Sequence, residues 1–361
     1  TLSWGYLDRD ESGGLTGCES APRAPVKDQW SPRLGVGYPI TDRTAFHFSY
    51  GQFYQFPDLV NMYNYSNYQG EGISPPGWSE AANSLAKDFL YGNPYYPFPY
   101  NITDWYIPEV GTPNVKPQRS VQYETGLRTR IGSQYLLTAN LYYKDMFDYI
   151  ASKRYDADPS QYAIYENMDY ANSRGLEFTL KKLFSNGIDW NLNYTLARAE
   201  GNAPTPDYHW YVAEWASGYD WRDFNRTYTM PWDQTHTINF RLNYFTPTGF
   251  GLSTISSYGS GLPYTPEDAR ARPIDEQYSG RMPSTSNVNL KLFYDRKMMG
   301  YNVRFFADIT NLLDKENVLA VDNTTGEPDA TLDSGQSPMV VWKPYYISPP
   351  RHIEIGISVS R

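Results

Sequence analysis

The residues with the clearest spacing for chemistry form an acidic segment near the start of the chain, Asp8-Arg-Asp-Glu-Ser-Gly-Gly-Leu-Thr-Gly-Cys-Glu19. Counted from Asp8, oxygen-bearing side chains fall at positions 1, 3, 5 and 12, and glycine falls at position 6. This spacing is typical of loops that wrap Ca²⁺, a hard cation that prefers carboxylate and carbonyl oxygens. It predicts a structural calcium site whose ligands are Asp8, Asp10, Ser12, the Gly14 carbonyl and Glu19. The alternative is an ordinary solvated acidic loop, and no other cofactor is expected.

Aromatic side chains are the second group with binding chemistry, since they make up 17% of the chain. They concentrate in residues 54–117 and around 208–221, outside any strand-like pattern. Tyrosine and tryptophan offer an apolar face and a polar tip, which suits a ligand-binding surface. The alternative is that these rings pack on one another and hold the loops together. The residues predicted to contact a ligand are Tyr63, Tyr65, Trp78, Tyr96, Trp105, Trp210 and Trp215.

Catalysis and nucleic-acid binding are not supported by the remaining residues. The four histidines are scattered, the single cysteine, Cys18, has no base near it in sequence, and the carboxylates form no distinctive pair. A net charge of -9 disfavours a nucleic-acid partner, because phosphate contacts need a basic surface. We therefore expect a protein that is not an enzyme and does not bind nucleic acid.

The elements that must position these residues are strands with one apolar and one polar face. In the stretch 121–131, odd positions carry Val, Tyr, Thr, Leu, Thr and Ile, whereas even positions carry Gln, Glu, Gly, Arg and Arg. This period of two predicts a strand with one wet face. On the polar face we expect Glu124, Arg128, Arg130, Arg241 and Lys291. The apolar alternation recurs at residues 34–38, 46–50, 137–143, 176–180, 190–196, 238–244, 288–294, 303–309 and 353–359.

Short and long connections alternate strictly between these strands. The short ones, at about 40–42, 132–133, 185–187, 246–249 and 295–300, are rich in turn residues. The long ones run at about 8–31, 54–117, 149–173, 199–235, 260–285 and 313–350. With a partial strand at residues 2–7, the pattern predicts roughly twelve antiparallel strands with short turns at one end and long loops at the other.

This asymmetry favours a transmembrane β-barrel over a soluble sandwich. Such barrels have short periplasmic turns, long outer loops and aromatic residues at both membrane interfaces. Several strands also approach the roughly 9 to 11 residues that a tilted strand needs to cross a bilayer. The apolar face would then contact outer-membrane lipid and the polar face would line the lumen. Because an open edge leaves backbone groups unsatisfied in hydrocarbon, we expect further strands before Thr1.

Several local runs resemble one family in their order and spacing. They are Pro32-Arg-Leu-Gly-Val-Gly-Tyr38 with Thr41-Asp-Arg-Thr44 and Phe48-Ser-Tyr-Gly51, then Tyr123-Glu-Thr-Gly126, Arg174-Gly-Leu-Glu177, Trp232-Asp-Gln-Thr-His236, Asp308-Ile-Thr-Asn-Leu-Leu-Asp314 with Asn317, and Pro350-Arg-His-Ile353. Together they resemble the C-terminal half of the barrel of TonB-dependent outer-membrane receptors. The family normally ends on an aromatic residue, so we expect either a residue or two beyond Arg361 or an atypical assembly signal.

The resemblance implies that residues 1–361 are the C-terminal part of one all-β barrel of about 22 strands with a plugged lumen. It implies a location in the outer membrane of a Gram-negative bacterium, with the long loops, including the aromatic loop 54–117, outside the cell. The plug and the segment that engages the TonB complex would lie N-terminal to this chain. The implied function is active import of a small-molecule, glycan or peptide nutrient. A passive channel or adhesin barrel and a soluble all-β carbohydrate-binding protein remain the alternatives.

Overall fold

The computed structural model describes residues 8–9, 15–16, 26–63, 109–155, 162–204, 226–268, 273, 276–333, 338–342 and 344–361. Eleven long strands account for most of these residues. In chain order they are β1 (Arg33–Thr41), β2 (Thr44–Gln55), β3 (Gln118–Ile131), β4 (Tyr135–Tyr155), β5 (Tyr162–Ser185), β6 (Ile188–Gly201), β7 (His236–Phe245), β8 (Phe250–Gly259), β9 (Thr285–Met298), β10 (Tyr301–Thr310) and β11 (His352–Ser360).

The eleven strands form one antiparallel meander in which each strand is hydrogen-bonded to the next along the chain. β1 and β11 are the two ends of this order among the described residues. The eleven strands confirm the predicted all-β fold and the predicted strand positions. The twelfth predicted strand, at residues 2–7, lies outside the described residues.

Shorter elements occur in the connections. Leu59–Tyr63 is a short helix, α1, and Pro344–Tyr346 is a 3-10 turn. Two-residue strands at Asp8–Arg9 and Leu15–Thr16 pair with each other, as do those at Pro263–Tyr264 and Gly280–Arg281. Asp329–Asp333 pairs with Pro338–Trp342 in a small hairpin, Tyr228–Thr229 adds to β6, and Glu109–Val110 runs parallel to β5. No helix in the described part of the chain has both the length and the apolar character that crossing a membrane requires.

The strand register separates the predicted apolar and polar faces. Between β6 and β7, Tyr194 lies opposite Ile238 and Leu192 lies opposite Phe240, whereas the intervening Asn193 lies opposite Asn239. Successive side chains of a strand point to opposite faces, so these pairs put apolar residues together on one side and polar residues together on the other. The same parity holds through β8 to β11, for example in the pair of Ile309 with Ile353.

The short connections are tight turns. Asn186 and Gly187 have φ values of 53° and 78°, and Met299 and Gly300 have φ values of 53° and 84°. Two-residue hairpin loops with positive φ at both positions match the twist of the flanking strands. β9 continues to Met298, so the connection predicted at residues 295–300 is only two residues long.

The long loop predicted at residues 149–173 is wrong. β4 continues to Tyr155 and β5 begins at Tyr162, which makes them strands of 21 and 24 residues. Strands this long exceed the roughly 9 to 11 residues needed to cross a bilayer. Beyond the apolar part both faces can be polar while the backbone pairing continues, so the loss of alternation does not mark the end of the strand.

The chain divides into two compact units. One comprises residues Thr1–Trp30, Gln55–Pro117 and Ser152–Asn167, and the other comprises Ser31–Tyr54, Gln118–Ala151 and Met168–Arg361. In the first unit, the Lys27 ammonium donates hydrogen bonds to the carbonyls of Pro113 and Val115 at 2.7 and 2.5 Å. Partial burial lowers the pKa of Lys27. This lysine therefore holds residues 113–115, which pair with no strand.

In the second unit, phenyl rings cover two glycines in one row of the polar face. Phe245, Gly251, Phe293, Phe306 and Gly356 lie opposite one another across β7 to β11. A Cβ atom at Gly251 would lie 2.1 Å from the Phe293 ring, and one at Gly356 would lie 2.4 Å from the Phe306 ring. Aromatic side chains packed over strand glycines stabilise a register, which explains why these two positions lack a side chain.

Candidate functional site

The predicted calcium ligands are only partly within the described residues. Asp8 belongs to a two-residue strand and lies opposite Thr16. Asp10, Ser12, Gly14 and Glu19 lie outside the described residues. Within the described ranges, no group of three or more histidine, cysteine, aspartate or glutamate residues is placed to hold a metal ion.

Most of the aromatic residues predicted to contact a ligand also lie outside the described residues. Tyr63 is the last residue of α1. The other six lie outside the described residues: Tyr65, Trp78, Tyr96, Trp105, Trp210 and Trp215. Their role in ligand contact stays a prediction.

An ion pair with a buried carboxylate holds the part of the β6–β7 connection that directly precedes β7. Asp233 is 2% exposed and accepts a hydrogen bond from the Ala199 amide at 2.6 Å. Arg281, from the connection between β8 and β9, donates to the Asp233 carboxylate at 2.7 Å and to its backbone carbonyl at 2.9 Å. It also donates to the Gly261 carbonyl at 3.2 Å. One carboxylate thus joins two long connections to the end of the sheet.

Two buried asparagines fasten the connection between β10 and β11. Asn311, 6% exposed, donates to the carbonyls of Lys315 and Pro349 and accepts from the Lys315 amide. Asn317, also 6% exposed, accepts from the Ser286 amide at 2.7 Å. Side-chain amides can donate and accept at once, so they satisfy backbone groups that have left the sheet.

The connections between β8 and β9 and between β10 and β11 also contact each other. The Glu267 amide donates to the Asn323 carbonyl at 2.9 Å, and the Asn323 side chain donates to the Glu267 carboxylate at 3.0 Å. Tyr264 lies against Gly326, where an added Cβ would meet its hydroxyl oxygen at 2.3 Å. The described parts of these loops therefore form a connected layer at the long-loop end of the sheet.

The polar face carries paired charges along the strands. Two of the residues predicted for this face are in ion pairs that cross between neighbouring strands: Lys291 lies 2.9 Å from Asp308, and Arg241 lies 3.9 Å from Asp189. Arg304 binds Asp295 through two hydrogen bonds of 2.6 and 2.7 Å. These side chains are between 20% and 53% exposed, as expected for a solvated surface rather than a core.

A polar recess lies on this face across β3, β4 and β5. Its volume is about 280 Å³, and its lining residues are Gln122, Glu124, Asn140, Tyr142, Lys144 and Glu177. The alternation in the sequence places five of them on the polar face and misses only Glu177, but it does not predict that they line a common recess. The available signal was the isolated Gly126 in β3 and Gly175 in β5, because a glycine inside a strand often marks a close approach of other groups.

Apolar side chains of this face are exposed in internal strands, such as Leu127 (44%) and Leu141 (56%), and more so in the two end strands, each of which has a neighbour on one side only. In β11, Ile355 is 79% exposed and Ile357 is 64% exposed. In β1, Leu34 is 57% exposed and Tyr38 is 64% exposed. Large exposed apolar surfaces mark contact with a membrane or with another protein surface.

Strands with one polar and one apolar face, joined by tight turns at one end, are typical of outer-membrane β-barrels. Comparison with known families then gives a specific assignment. The sequence model of the family described as TonB dependent receptor-like, beta-barrel matches residues 6–312. The chain belongs to this family.

Comparison with solved structures supports the same fold. The chain is similar to the outer membrane transporter YddB of Escherichia coli, with a TM-score of 0.57, 12% identity, and coverage of 91% of this chain and 40% of that one. It is similar to a mutant of the ferric enterobactin receptor of Pseudomonas aeruginosa, with a TM-score of 0.54, 16% identity, and coverage of 92% and 40%. For the FrpB iron transporter of Neisseria meningitidis, the TM-score is 0.50, the identity is 12%, and the coverage is 91% and 38%. A search of curated proteins finds no match.

The chain spans about 40% of the length of these transporters. Family and fold place the protein in the bacterial outer membrane, with the long loops outside the cell. In this fold the apolar face contacts lipid and the polar face lines the lumen. The predicted resemblance, fold class and location are thereby confirmed.

Proposed function

We propose that the protein is an active transporter that binds a nutrient at its extracellular loops and imports it to the periplasm. The observation that carries the proposal is the polar face of the sheet, which bears charged and amide side chains between the long loops and the short turns. Its fixed charges, such as the Lys291–Asp308 pair, give a polar solute a hydrated wall to follow. The family and its transporter relatives support this assignment.

Energy for import would come from the TonB complex. The segment that engages it would lie in the N-terminal part of the whole protein, together with the plug. In the family's mechanism, the outer loops capture the substrate and a pull on the plug opens a path along the polar wall. Outer-membrane lipid would surround the apolar face.

The substrate is a scarce and bulky small molecule, glycan or peptide. The aromatic loop 54–117 favours glycans or peptides, because stacking on tyrosine and tryptophan suits their flat faces. Solved relatives are named for ferric enterobactin and for iron, so ferric siderophores belong to the set to be tested, with haem and cobalamin. We assign no enzymatic activity, since the family consists of receptors and transporters.

Growth assays test this function in cells. A strain deleted for the gene, a strain deleted for TonB and the parent would each be grown with one limiting nutrient: a ferric siderophore, haem, cobalamin, a glycan or a peptide. We expect one nutrient to support the parent only. Growth of the TonB deletion on that nutrient would contradict active import.

A second assay distinguishes an active transporter from a passive channel. The purified full-length protein would be inserted in a planar lipid bilayer and its ionic current measured. A plugged transporter passes almost no steady current, whereas a passive channel passes a stable one.

A further inference from the structure

We propose that the turn end of the sheet binds the headgroups of anionic phospholipids in the periplasmic leaflet of the outer membrane. The site is independent of the nutrient that is imported. It requires only that the protein lies in the outer membrane with its long loops outside the cell, so that the short turns face the periplasm.

The five short turns form one continuous edge. Each is joined to the next by a backbone hydrogen bond of 2.7 or 2.8 Å, from the amides of Arg130, Leu183, Phe245 and Asp295 to the carbonyls of Arg43, Gln134, Gly187 and Gly249 respectively. We call the five turns, with the four residues on either side of each, the turn-end rim. Because neighbouring turns are bonded together, the side chains of the rim are held at fixed spacing.

The turn-end rim is basic, although the chain as a whole has a net charge of -9. Its acidic residues are Asp42, Asp189 and Asp295, and its basic residues are Arg43, Arg128, Arg130, Lys182, Arg296, Lys297 and Arg304. Asp295 is already paired with Arg304, and Asp189 accepts a hydrogen bond from Asn243. The rim therefore carries an excess of positive charge that attracts anions.

Three of these basic side chains are available to a ligand. Arg43, Arg296 and Lys297 are exposed, and none of them lies in an ion pair with another residue of the described ranges. Lys182 differs, because its ammonium donates hydrogen bonds to Ser185 and to the Ile188 carbonyl. It adds positive charge to the rim and at the same time holds the β5–β6 turn.

Two of the basic residues lie on the face that contacts lipid. Lys182 is opposite Trp190, and Arg296 is opposite Val303, in rows of the apolar face. The Arg296 guanidinium donates to the hydroxyl of Tyr294 at 3.3 Å. Tryptophan and tyrosine on the lipid face mark the level of the headgroups. Arg296 follows Tyr294 by two residues, about 7 Å along the strand, so it lies at the depth of the phosphates.

Exposed methionines at the β9–β10 turn favour a membrane over an acidic protein as the partner. Met299 is 98% exposed and Met298 is 49% exposed, and both follow directly after Arg296 and Lys297. Apolar side chains beside basic ones are typical of surfaces that contact anionic membranes. The cations would pair with phosphates while the methionines enter the interfacial layer.

The excess positive charge predicts a preference among phospholipids. Phosphatidylglycerol has a net negative headgroup, whereas the ammonium of phosphatidylethanolamine cancels its phosphate. Each basic residue near an anionic surface strengthens binding by a factor of roughly five. We therefore expect phosphatidylglycerol to bind at least about fivefold more tightly than phosphatidylethanolamine with the same acyl chains.

Native mass spectrometry of the full-length protein in non-ionic detergent tests the site. The protein would be titrated with phosphatidylglycerol, with phosphatidylethanolamine, and with phosphatidylglycerol in the presence of inorganic phosphate. The fraction of lipid-bound protein gives the affinity. Inorganic phosphate at the lipid concentration should not displace the lipid, because it lacks the acyl chains that contact the apolar face.

Variants then locate the binding. We expect the double variant Arg43→Gln, Arg296→Gln to lose about 25-fold in affinity for phosphatidylglycerol, and Arg43→Lys, Arg296→Lys to keep it within about twofold. The matched control is Arg241→Gln, Lys291→Gln, which removes the same charge from the polar face outside the rim and should leave lipid binding unchanged. A heat-modifiable band on a gel would show that each variant is folded.

Three results would overturn the site. They are equal affinities for the two lipids, full phosphatidylglycerol binding by the Arg43→Gln, Arg296→Gln variant, and an equal loss in the Arg241→Gln, Lys291→Gln control. Full binding by the rim variant would leave a protein partner as the reason for the basic rim.

Discussion

At the scale of single residues, buried polar groups hold the long-loop end of the sheet. Asp233 is almost fully buried, yet it contacts an arginine that is 40% exposed at its side chain. Its other oxygen accepts from the Ala199 amide, so one carboxylate serves three segments of the chain. The buried carboxylate is surrounded by donors, namely the Ala199 amide, the Thr235 hydroxyl and the Arg281 guanidinium, so both of its oxygens are needed as acceptors.

We expect Asp233→Asn to lower the free energy of unfolding by about 2 kcal/mol, because the asparagine NH2 would be a buried donor facing either the Ala199 amide or the Arg281 guanidinium. The temperature at which the folded, heat-modifiable band disappears from a gel would measure this. Asp295→Asn is the matched control, since the Asp295–Arg304 pair is half-exposed and should contribute under about 1 kcal/mol. Equal losses in the two variants would contradict the special role of Asp233.

Calcium binding by the segment from Asp8 to Glu19 stays a prediction of the sequence. We propose that it stiffens an outer loop, with a dissociation constant of roughly 0.1 to 1 mM, as in extracellular modules. Calorimetric titration of EGTA-treated protein with CaCl₂ should show one site that Asp10→Asn removes. Asp28→Asn, an exposed acid outside the segment, should leave the titration unchanged. Absence of heat in the parent protein would refute the site.

At the scale of elements, the two faces of each strand have different surroundings, lipid on one side and water on the other. Phe240 of β7 lies opposite Leu192 and its ring is 6.4 Å from Trp190, whereas the adjacent Asn239 lies opposite Asn193 on the other face. One residue along the strand therefore changes the surroundings from hydrocarbon to water.

We expect Phe240→Arg to cost about 2 to 4 kcal/mol if the side chain lies near the bilayer midplane. The amount of heat-modifiable protein in the outer membrane should fall sharply. Asn239→Arg provides the adjacent control and should assemble normally, since its side chain enters the lumen. Normal assembly of both variants would show that β7 does not face lipid.

The two ends of the strands differ across the whole molecule. All five short turns lie at one end of the meander, and the five longer connections between strands lie at the other. In an outer-membrane barrel the turns are periplasmic and the loops are extracellular.

We expect an impermeant maleimide to label a cysteine at Glu327 in intact cells but not one at Ser133. Both substitutions would be made in the Cys18→Ser background, so that only the introduced thiol reacts. Glu327 lies in the exposed connection between β10 and β11, and Ser133 lies in the turn between β3 and β4. Labelling only at position 133 would show that the turns, and not the loops, lie outside the cell. In permeabilised cells both cysteines should react, which is the control for reactivity.

The sequence by itself determined the positions of most strands, which face of each strand is apolar, and where the chain reverses. A period of two between apolar and polar residues sets which face each side chain takes, and turn residues such as Asn186-Gly187 set where the chain reverses. Both signals are local, so they could be read without knowing which strands pair. The family resemblance rested on similarly local runs.

Only the tertiary structure decided where β4 and β5 end and which polar residues meet. β4 and β5 extend past their apolar part because backbone pairing needs no particular side chain. The recess depends on the register that sets Glu124 opposite Tyr142 and Gly126 opposite Asn140. The Asp233–Arg281 pair joins residues 48 positions apart. Such contacts arise from strand pairing across the sheet, and a pattern read along one strand carries no information about its neighbour.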